Sequence, residues 1–164
     1  MSKELISCET QEGKNVSVET RKLDMRISAY GILVKGDKVL VIQAHLPLWE
    51  FPGGGVHPGE PITACLVREF REETGLEVTP ERLLLERESF YLSPSQKAYH
   101  SFQHFFVVAQ IGDSPIEPKT NRIGATWIPI SRLCQEKMNP GAQTALESYL
   151  AKKACIEFLP LRET

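Results

Sequence analysis

The chain has 164 residues, of which 41% are hydrophobic and 24% are charged. This composition excludes both the low hydrophobicity of a disordered chain and the periodic glycine of collagen, and the length suits one domain with a single core. The formal net charge of −2 provides no basic field, which argues against sequence-independent binding to a nucleic-acid backbone. We therefore expect no nucleic-acid partner, and a small anionic ligand would need locally placed cations.

The first 22 residues are the least defined segment. They are mostly polar and only Val16 and Val18 alternate, so residues 1–22 fit either a flexible arm or an edge strand, and the main domain is placed at residues 23–164. Neither a signal peptide nor a run of roughly 18 apolar residues is present. We expect a cytoplasmic protein with no membrane partner. A homodimer stays open, because dimer surfaces leave little trace in one sequence.

Two runs rich in Ile, Val and Leu follow, at residues 26–34 and 38–44. Gly36 and Asp37 between them fit a tight turn, so the pattern predicts a β-hairpin. Residues 47–59 then hold three prolines and four glycines, a density that excludes a helix or an interior strand over most of the segment. This segment is predicted to be a structured loop.

A helix is predicted from Pro61 to Thr74. The missing N–H of Pro61 suits a first helical turn, and Gly75 suits the left-handed cap at the other end. Strands are predicted at 83–92, 102–111 and 127–130, and a second helix at 142–153, where apolar positions recur at helical spacing. Strands flanking two helices indicate an α/β fold, with helices on both faces of a mixed sheet.

Three carboxylates of the first helix share one face. At about 100° per residue, Glu69, Glu72 and Glu73 fall within one arc of about 100°. Like charges at this spacing are unfavourable unless something neutralises them, and Mg²⁺ both prefers carboxylate oxygens and bridges them to substrate phosphates. For three glutamates alone, a solvated helix face remains the plainer alternative.

A glycine run beside this helix shifts the balance towards a functional site. Gly53, Gly54 and Gly55 allow close approach of the backbone to a ligand, and Gly59 and Glu60 lead directly into the helix. Phosphoanhydride hydrolysis requires close backbone contact and metal ions that bind charge on phosphoryl oxygens. The combination of glycine loop and acidic helix is more specific than either part.

These residues resemble the signature of the Nudix hydrolase family. Gly54, then Glu60 after five residues, then the run Arg-Glu-Phe-Arg-Glu-Glu-Thr-Gly-Leu at 68–76 after seven more, fill every defining position of the Nudix box. The Trp-Glu-Phe-Pro run at 49–52 is similar to the family's lead-in. The resemblance implies a Nudix-type α/β/α sandwich with a mixed β-sheet between helices.

The resemblance also implies a metal site. Glu72 and Glu73 would hold Mg²⁺, with Mn²⁺ as a substitute, and Gly53 would offer its carbonyl oxygen. Glu69 would be a further ligand or the general base. The implied reaction is attack of a metal-activated water on one phosphorus of a diphosphate, which releases a nucleoside monophosphate.

Further roles are implied around this metal site. Arg68 would orient a glutamate, and Glu60 would support the site from the loop, directly or through a bridging water. Members of this family differ in their general base, so Glu88 and Glu117 are the fallback candidates, although both are more readily explained as solvated surface charges.

The substrate is a small nucleotide whose identity the sequence leaves open. A nucleoside triphosphate pyrophosphohydrolase and an ADP-ribose or sugar-nucleotide pyrophosphatase both fit. Alternatives are a non-catalytic nucleotide-sensing Nudix domain, disfavoured by the intact acidic positions, and an RNA 5′-triphosphate pyrophosphohydrolase, disfavoured by the acidic pI near 6.1. The candidate substrate-binding residues are Arg26, Gly54, Arg87, Tyr91 and His104.

Overall fold

A computed structural model describes residues 4–43, 47–113, 115–116, 124–153 and 155–157. In this part of the chain, no helix is long and apolar enough to cross a membrane. The strands are β1 (Leu5–Thr10), β2 (Asn15–Glu19), β3 (Leu23–Ile32), β4 (Val34–Lys35), β5 (Lys38–Val41), β6 (Gly53–Gly55), β7 (Glu77–Leu92), β8 (Ala98–Ile111), β9 (Thr126–Pro129) and β10 (Cys155–Glu157), and the helices are α1 (Ile62–Thr74), α2 (Ile130–Leu133) and α3 (Pro140–Leu150).

The larger sheet is mixed. Its strand order is β2-β1-β7-β8-β3-β6, and β10 also pairs with β7. β7 and β8 form a long antiparallel pair, β3 runs parallel to β8, and β6 runs antiparallel to β3. The smaller sheet has the order β4-β5-β9.

Alternation along β5 shows how the layers are arranged. Val39 and Val41 pack into a hydrophobic cluster that includes residues of α3, whereas Leu40 packs into a second cluster that includes residues of α1. Successive side chains of a strand point to opposite faces, so α1 and α3 lie on opposite sides. The predicted α/β/α sandwich with a mixed sheet is confirmed.

The predicted first helix is present. Pro61 has an extended backbone and caps α1, so the helix begins one residue later than predicted. Gly75 adopts the predicted left-handed conformation, with φ of 76°, and its N–H donates to the Arg71 carbonyl at 2.9 Å. Leu66 and Phe70 are fully buried, which anchors α1 on the sheet.

The predicted hairpin is much shorter than the sequence pattern suggests. Gly36 provides the turn, with φ of 60°, but only Val34 and Lys35 pair with β5 before it. The preceding strand, β3, pairs instead with β8 over ten residues and with β6. Local periodicity identifies a strand but carries no information about a distant partner, which explains the error. Ala44, the predicted end of the second strand, lies outside the described residues.

The predicted loop at residues 47–59 contains a short strand. Ser28, Ala29 and Tyr30 of β3 pair with the three glycines of β6. Glycine has a low preference for strands, so the sequence favoured a loop throughout. The pairing with β3 overrides this preference and fixes the position of the glycine run.

Residues 5–19 form a hairpin at the sheet edge. β1 pairs antiparallel with β2 and parallel with the end of β7, where Glu9 is opposite Tyr91. Ile6 and Cys8 are buried in a third cluster that also contains Leu92. The hairpin is therefore packed against the sheet.

The last helix begins two residues before its predicted start. Asn139 caps α3, because its side-chain oxygen accepts a hydrogen bond from the Gly141 N–H at 3.1 Å. Pro140, which lies before the predicted helix, occupies the first turn of α3, where proline is well tolerated. α3 ends at Leu150, three residues before the predicted end.

Candidate active site

A cavity of about 510 Å³ lies where the glycine run, the acidic helix and the polar face of the larger sheet meet. Its volume falls within the usual range for small-molecule sites. Its lining includes Glu69 and Glu73 of α1, the glycines of β6, Arg26 and Tyr30 of β3, Arg87 and Tyr91 of β7, Gln103 of β8, and Glu50 and Asn139 from loops.

The cavity brings together most of the site residues predicted from the sequence. Three others, Glu60, Arg68 and Glu72, do not line it but adjoin it through contacts described below, and His104 lies elsewhere. The predicted residues in the lining are Glu69, Glu73, Gly53, Gly54, Arg26, Arg87 and Tyr91.

Glu73 is fixed against the glycine run. The Gly53 N–H donates to its carboxylate at 2.9 Å. Burial raises the pKa of Glu73 to about 8, the Gly53 N–H opposes this rise, and the charges of Glu69, Glu50 and Glu72 add to it. A cation among these carboxylates would relieve the repulsion and favour the ionised form.

Arg68 connects the loop to the helix. Its Nε and Nη2 donate to the two carboxylate oxygens of Glu60 at 2.7 and 2.8 Å, and its Nη1 donates to Glu69 at 2.7 Å. The Arg68 side chain, followed by the N–H of His57, lowers the pKa of Glu60 to about 2. Arg68 therefore holds one oxygen of Glu69 while Glu60 holds Arg68.

Glu72 is the most exposed of the three helix carboxylates. Its side chain is 46% exposed, and one of its oxygens lies 3.8 Å from Arg68 Nη1. Unlike Glu69 and Glu73, it does not line the cavity. It is connected to Glu69 through Arg68, whose Nη1 contacts both carboxylates.

The donor set is that of a hard cation. Within the described ranges, no three Asp, Glu, His or Cys side chains converge closely enough to form a finished metal site. The available side-chain donors are nevertheless carboxylate oxygens, the ligands that Mg²⁺ prefers, and their repulsion adds to the effect of burial in raising the pKa of Glu73. The residues therefore fit Mg²⁺ in their chemistry.

Arg26 is the cation best placed for a phosphate. Its guanidinium lies 5.4 Å from the centre of the Tyr99 ring and approaches the backbone of Gly55. In the described part of the chain, no carboxylate lies within ion-pair distance of Arg26. Arg87, by contrast, already contacts Glu9 at 2.9 Å.

Several cavity residues were not predicted from the sequence. Glu50 is largely buried, which raises its pKa, and the Asn139 amide donates to it at 3.2 Å. A signal existed for both: Glu50 lies in the Trp-Glu-Phe-Pro run, and Asn139 precedes a proline as helix-capping residues often do. Gln11 and Gln103 had no such local signal.

The structure does not bring His104, a predicted substrate-binding residue, to the cavity. The ring lies 3.3 Å from the Ser28 carbonyl and 3.4 Å from Glu86, outside the cavity. Its neighbour Gln103 lines the cavity, and adjacent residues of a strand face opposite sides. The sequence showed the alternation of side chains along β8, but it did not show which face of the strand borders the cavity.

The two fallback bases are not brought to the cavity. Glu88 lies 2.6 Å from His100 Nε2 and does not line the cavity. Glu117 lies outside the described residues. Glu69 is thus the candidate base that the structure places at the cavity.

Comparisons with known proteins identify the family and the fold. The family model of the NUDIX domain matches residues 25–149. The "Putative 8-oxo-dGTP diphosphatase" of Bacillus subtilis (strain 168) is 33% identical over 95 residues, covering 58% of this chain and 59% of that protein. The "Putative ADP-ribose pyrophosphatase YjhB" of the same organism is 29% identical over 115 residues, covering 70% of this chain and 53% of that protein.

The chain therefore spans little more than half the length of these curated relatives. In fold it is similar to the solution structure of the Escherichia coli ORF135 protein, with a TM-score of 0.64, 24% identity, and coverage of 82% of this chain and 94% of that one. Because the family model matches more than half of the chain, and the matched region contains the glycine run and the acidic helix, the chain belongs to the NUDIX domain family.

Proposed function

We propose that the protein is a Mg²⁺-dependent hydrolase that cleaves a nucleoside diphosphate linkage, by attack of water on phosphorus. The observation that carries the proposal is the convergence on one cavity of two helix carboxylates, Glu69 and Glu73, with the glycine backbone and Arg26. These are the groups that hydrolysis of a phosphoanhydride requires.

Each element of the site has a proposed role. Glu73, Glu69 and Glu72 would hold the metal, together with the carbonyl of Gly53. When bound, Mg²⁺ would lower the pKa of a water molecule and neutralise charge on phosphoryl oxygens. Glu69 is either a ligand or the general base, and Mn²⁺ would substitute for Mg²⁺.

The surrounding residues orient these groups and the substrate. Arg68 fixes Glu69 through its 2.7 Å hydrogen bond, and Glu60 fixes Arg68. Arg26 binds a phosphate oxygen as a charge-assisted donor. Glu50 and Asn139 offer hydrogen-bonding groups to the nucleoside.

The proposed substrates are nucleoside triphosphates and nucleoside diphosphates joined to another moiety, such as ADP-ribose. One Bacillus relative is named for a nucleoside triphosphate, 8-oxo-dGTP, and the other is named for ADP-ribose. A panel of 8-oxo-dGTP, the ordinary nucleoside triphosphates, ADP-ribose and sugar nucleotides tests the proposal. Product analysis should show a nucleoside monophosphate from at least one substrate, dependent on Mg²⁺ and abolished by a chelator.

Three results would speak against this function. Absence of turnover across the panel at neutral and alkaline pH contradicts a pyrophosphohydrolase. Tight nucleotide binding without turnover favours the sensing class instead. Activity confined to 5′-triphosphorylated RNA would move the substrate to a different class.

A further inference from the structure

The N-terminal hairpin contributes to the cavity although it precedes the family match. The NUDIX model begins at residue 25, whereas β1 and β2 occupy residues between 5 and 19. Glu9, Thr10 and Gln11 nevertheless line the cavity. The cavity of this chain is thus bounded partly by a segment that lies outside the matched domain.

The hairpin is held firmly at this place. β1 pairs with the end of β7, with Glu9 opposite Tyr91, and the Glu9 carboxylate lies 2.9 Å from Arg87. Its own residues Ile6 and Cys8, both in β1, are buried. Its cavity-lining residues therefore belong to a packed wall.

Gln11 has an unusual environment for a turn residue. It follows Thr10 in the turn closed by the Gly13 N–H to Thr10 carbonyl hydrogen bond of 2.9 Å, and turn residues usually lie in solvent. Gln11 is nevertheless only 8% exposed. Its side chain interacts with Tyr91 and opposes the rise that burial causes in the pKa of the Tyr91 hydroxyl.

The side-chain oxygen of Gln11 also has an unusual environment. Its side-chain oxygen is buried and accepts no hydrogen bond in the described part of the chain. A buried acceptor without a partner is unfavourable, and such groups are rare unless a ligand or water completes them. Gln11 lines the cavity, and although its oxygen has almost no exposed surface, a rotation of the side chain would bring that oxygen to a donor of a bound substrate.

The surroundings define the part of the substrate that fits here. β1 lies four strands from β6 in the sheet order, roughly 19 Å along the sheet at about 4.8 Å per strand. Ser93, Ser95 and Tyr91 line this end of the cavity, and the charges of Glu9 and Arg87 are paired with each other. The charges of Glu50 and Arg26 also act on Tyr91, with opposite effects on its pKa. The uncharged polar side chains at this end suit a hydrogen-bonding ring.

We infer that Gln11 is a specificity-determining residue: its side-chain oxygen accepts a hydrogen bond from an N–H or O–H of the substrate's uncharged end, away from the acidic helix. This inference rests on the proposed function and adds the hairpin to the substrate site. The donor belongs either to a nucleobase or to the terminal sugar of a two-ended substrate. Both offer the same chemistry to Gln11.

The test compares Gln11→Met, which keeps the length of the side chain but removes the acceptor, with Gln135→Met as a matched control. Gln135 is exposed, on the turn after α2, and does not line the cavity. For the best substrate, KM of Gln11→Met should rise about five- to tenfold with kcat within about twofold, because a ground-state contact is lost. The control should match the wild type.

Equilibrium binding provides the readout that does not depend on turnover. The α,β-methylene analogues of ATP and ADP-ribose are titrated calorimetrically into wild type and Gln11→Met. Weaker binding of both analogues by the variant assigns the donor to the base, and weaker binding of the ADP-ribose analogue alone assigns it to the terminal sugar. Gln11→Asn replaces Gln11→Met if thermal unfolding shows that the latter does not fold.

The outcomes separate the two hypotheses. If the wild type binds an analogue and the Gln11 variants bind it equally well, the inference about Gln11 is overturned and the proposed function stands. If the wild type binds neither analogue and turns over no nucleotide, the proposed function fails and the inference fails with it. A KM rise of equal size in Gln135→Met also overturns the inference.

Discussion

Replacing Glu73 by Gln is expected to lower kcat by about 10³-fold while leaving the fold intact. A metal site of this kind contributes several kcal/mol to transition-state stabilisation. A loss of about 1.4 kcal/mol lowers the rate tenfold. Gln retains an oxygen that accepts the Gly53 N–H, which holds Glu73 at 2.9 Å. Steady-state kinetics at saturating Mg²⁺ measure the effect.

The same substitution should stabilise the metal-free protein. Burial raises the pKa of Glu73 to about 8 from an ordinary 4.5, so between these pH values the folded state holds a proton that the unfolded state has lost. The free energy of unfolding of the metal-free wild type therefore falls as pH rises through this range, and Gln, which cannot ionise, escapes that loss. At pH about 8 the variant should be more stable by on the order of 1 kcal/mol.

Saturating Mg²⁺ should reverse this order, because metal binding stabilises the wild type and not the variant. Thermal unfolding with and without Mg²⁺ measures both signs. Glu77→Gln is the control, since Glu77 is exposed, is the first residue of β7, and has its carboxylate 3.7 Å from Arg71. Full activity of Glu73→Gln, or the same stability order with and without Mg²⁺, would remove Glu73 from the metal site.

Three successive Gly→Ala substitutions should give three different results. At Gly53, with φ of 153°, a Cβ would meet the Ala29 carbonyl and lie 2.6 Å from Tyr30 Cα. Backbone atoms cannot move aside cheaply, so Gly53→Ala should destabilise the protein by about 2–5 kcal/mol through overpacking and backbone strain. Urea unfolding measures the loss.

At Gly54 a Cβ would lie 2.6 Å from Glu69 Cδ, the end of a flexible side chain. Gly54→Ala should therefore fold, but it displaces the Glu69 carboxylate and should lower kcat by about 10- to 100-fold. Gly55→Ala is the matched control, because its nearest neighbour would be Arg26 at 3.4 Å, an ordinary contact. Equal activity of the Gly54 and Gly55 variants would show that the position of Glu69 does not matter to the reaction.

The sequence predicted the parts of the molecule whose causes are local. Helix α1 follows from apolar spacing around Leu66 and Phe70, and its end follows from Gly75, whose left-handed conformation needs no distant partner. Glu69 and Glu73 were placed on one face by helical geometry alone. The structure puts both at one cavity.

The parts that were not predicted depend on contacts distant in sequence. β3 pairs with β8, some 75 residues away in the chain, as in Ala29 opposite His104, and no local pattern encodes that choice. The same pairing decides that Gln103 and not His104 borders the cavity. Gln11 lies at the cavity because β1 pairs with β7. The segment that contains Gln11 is short and polar, so its sequence did not predict this position.

The most direct test of the central claim is hydrolysis in ¹⁸O-labelled water with Mg²⁺, using the best nucleotide of the panel, followed by mass spectrometry of the products. Attack of water on phosphorus predicts a nucleoside monophosphate and a second phosphorylated product, with a single ¹⁸O on a phosphoryl group of one of them. Release of terminal inorganic phosphate with the diphosphate left intact, or incorporation of ¹⁸O into a sugar carbon–oxygen bond, would contradict the account.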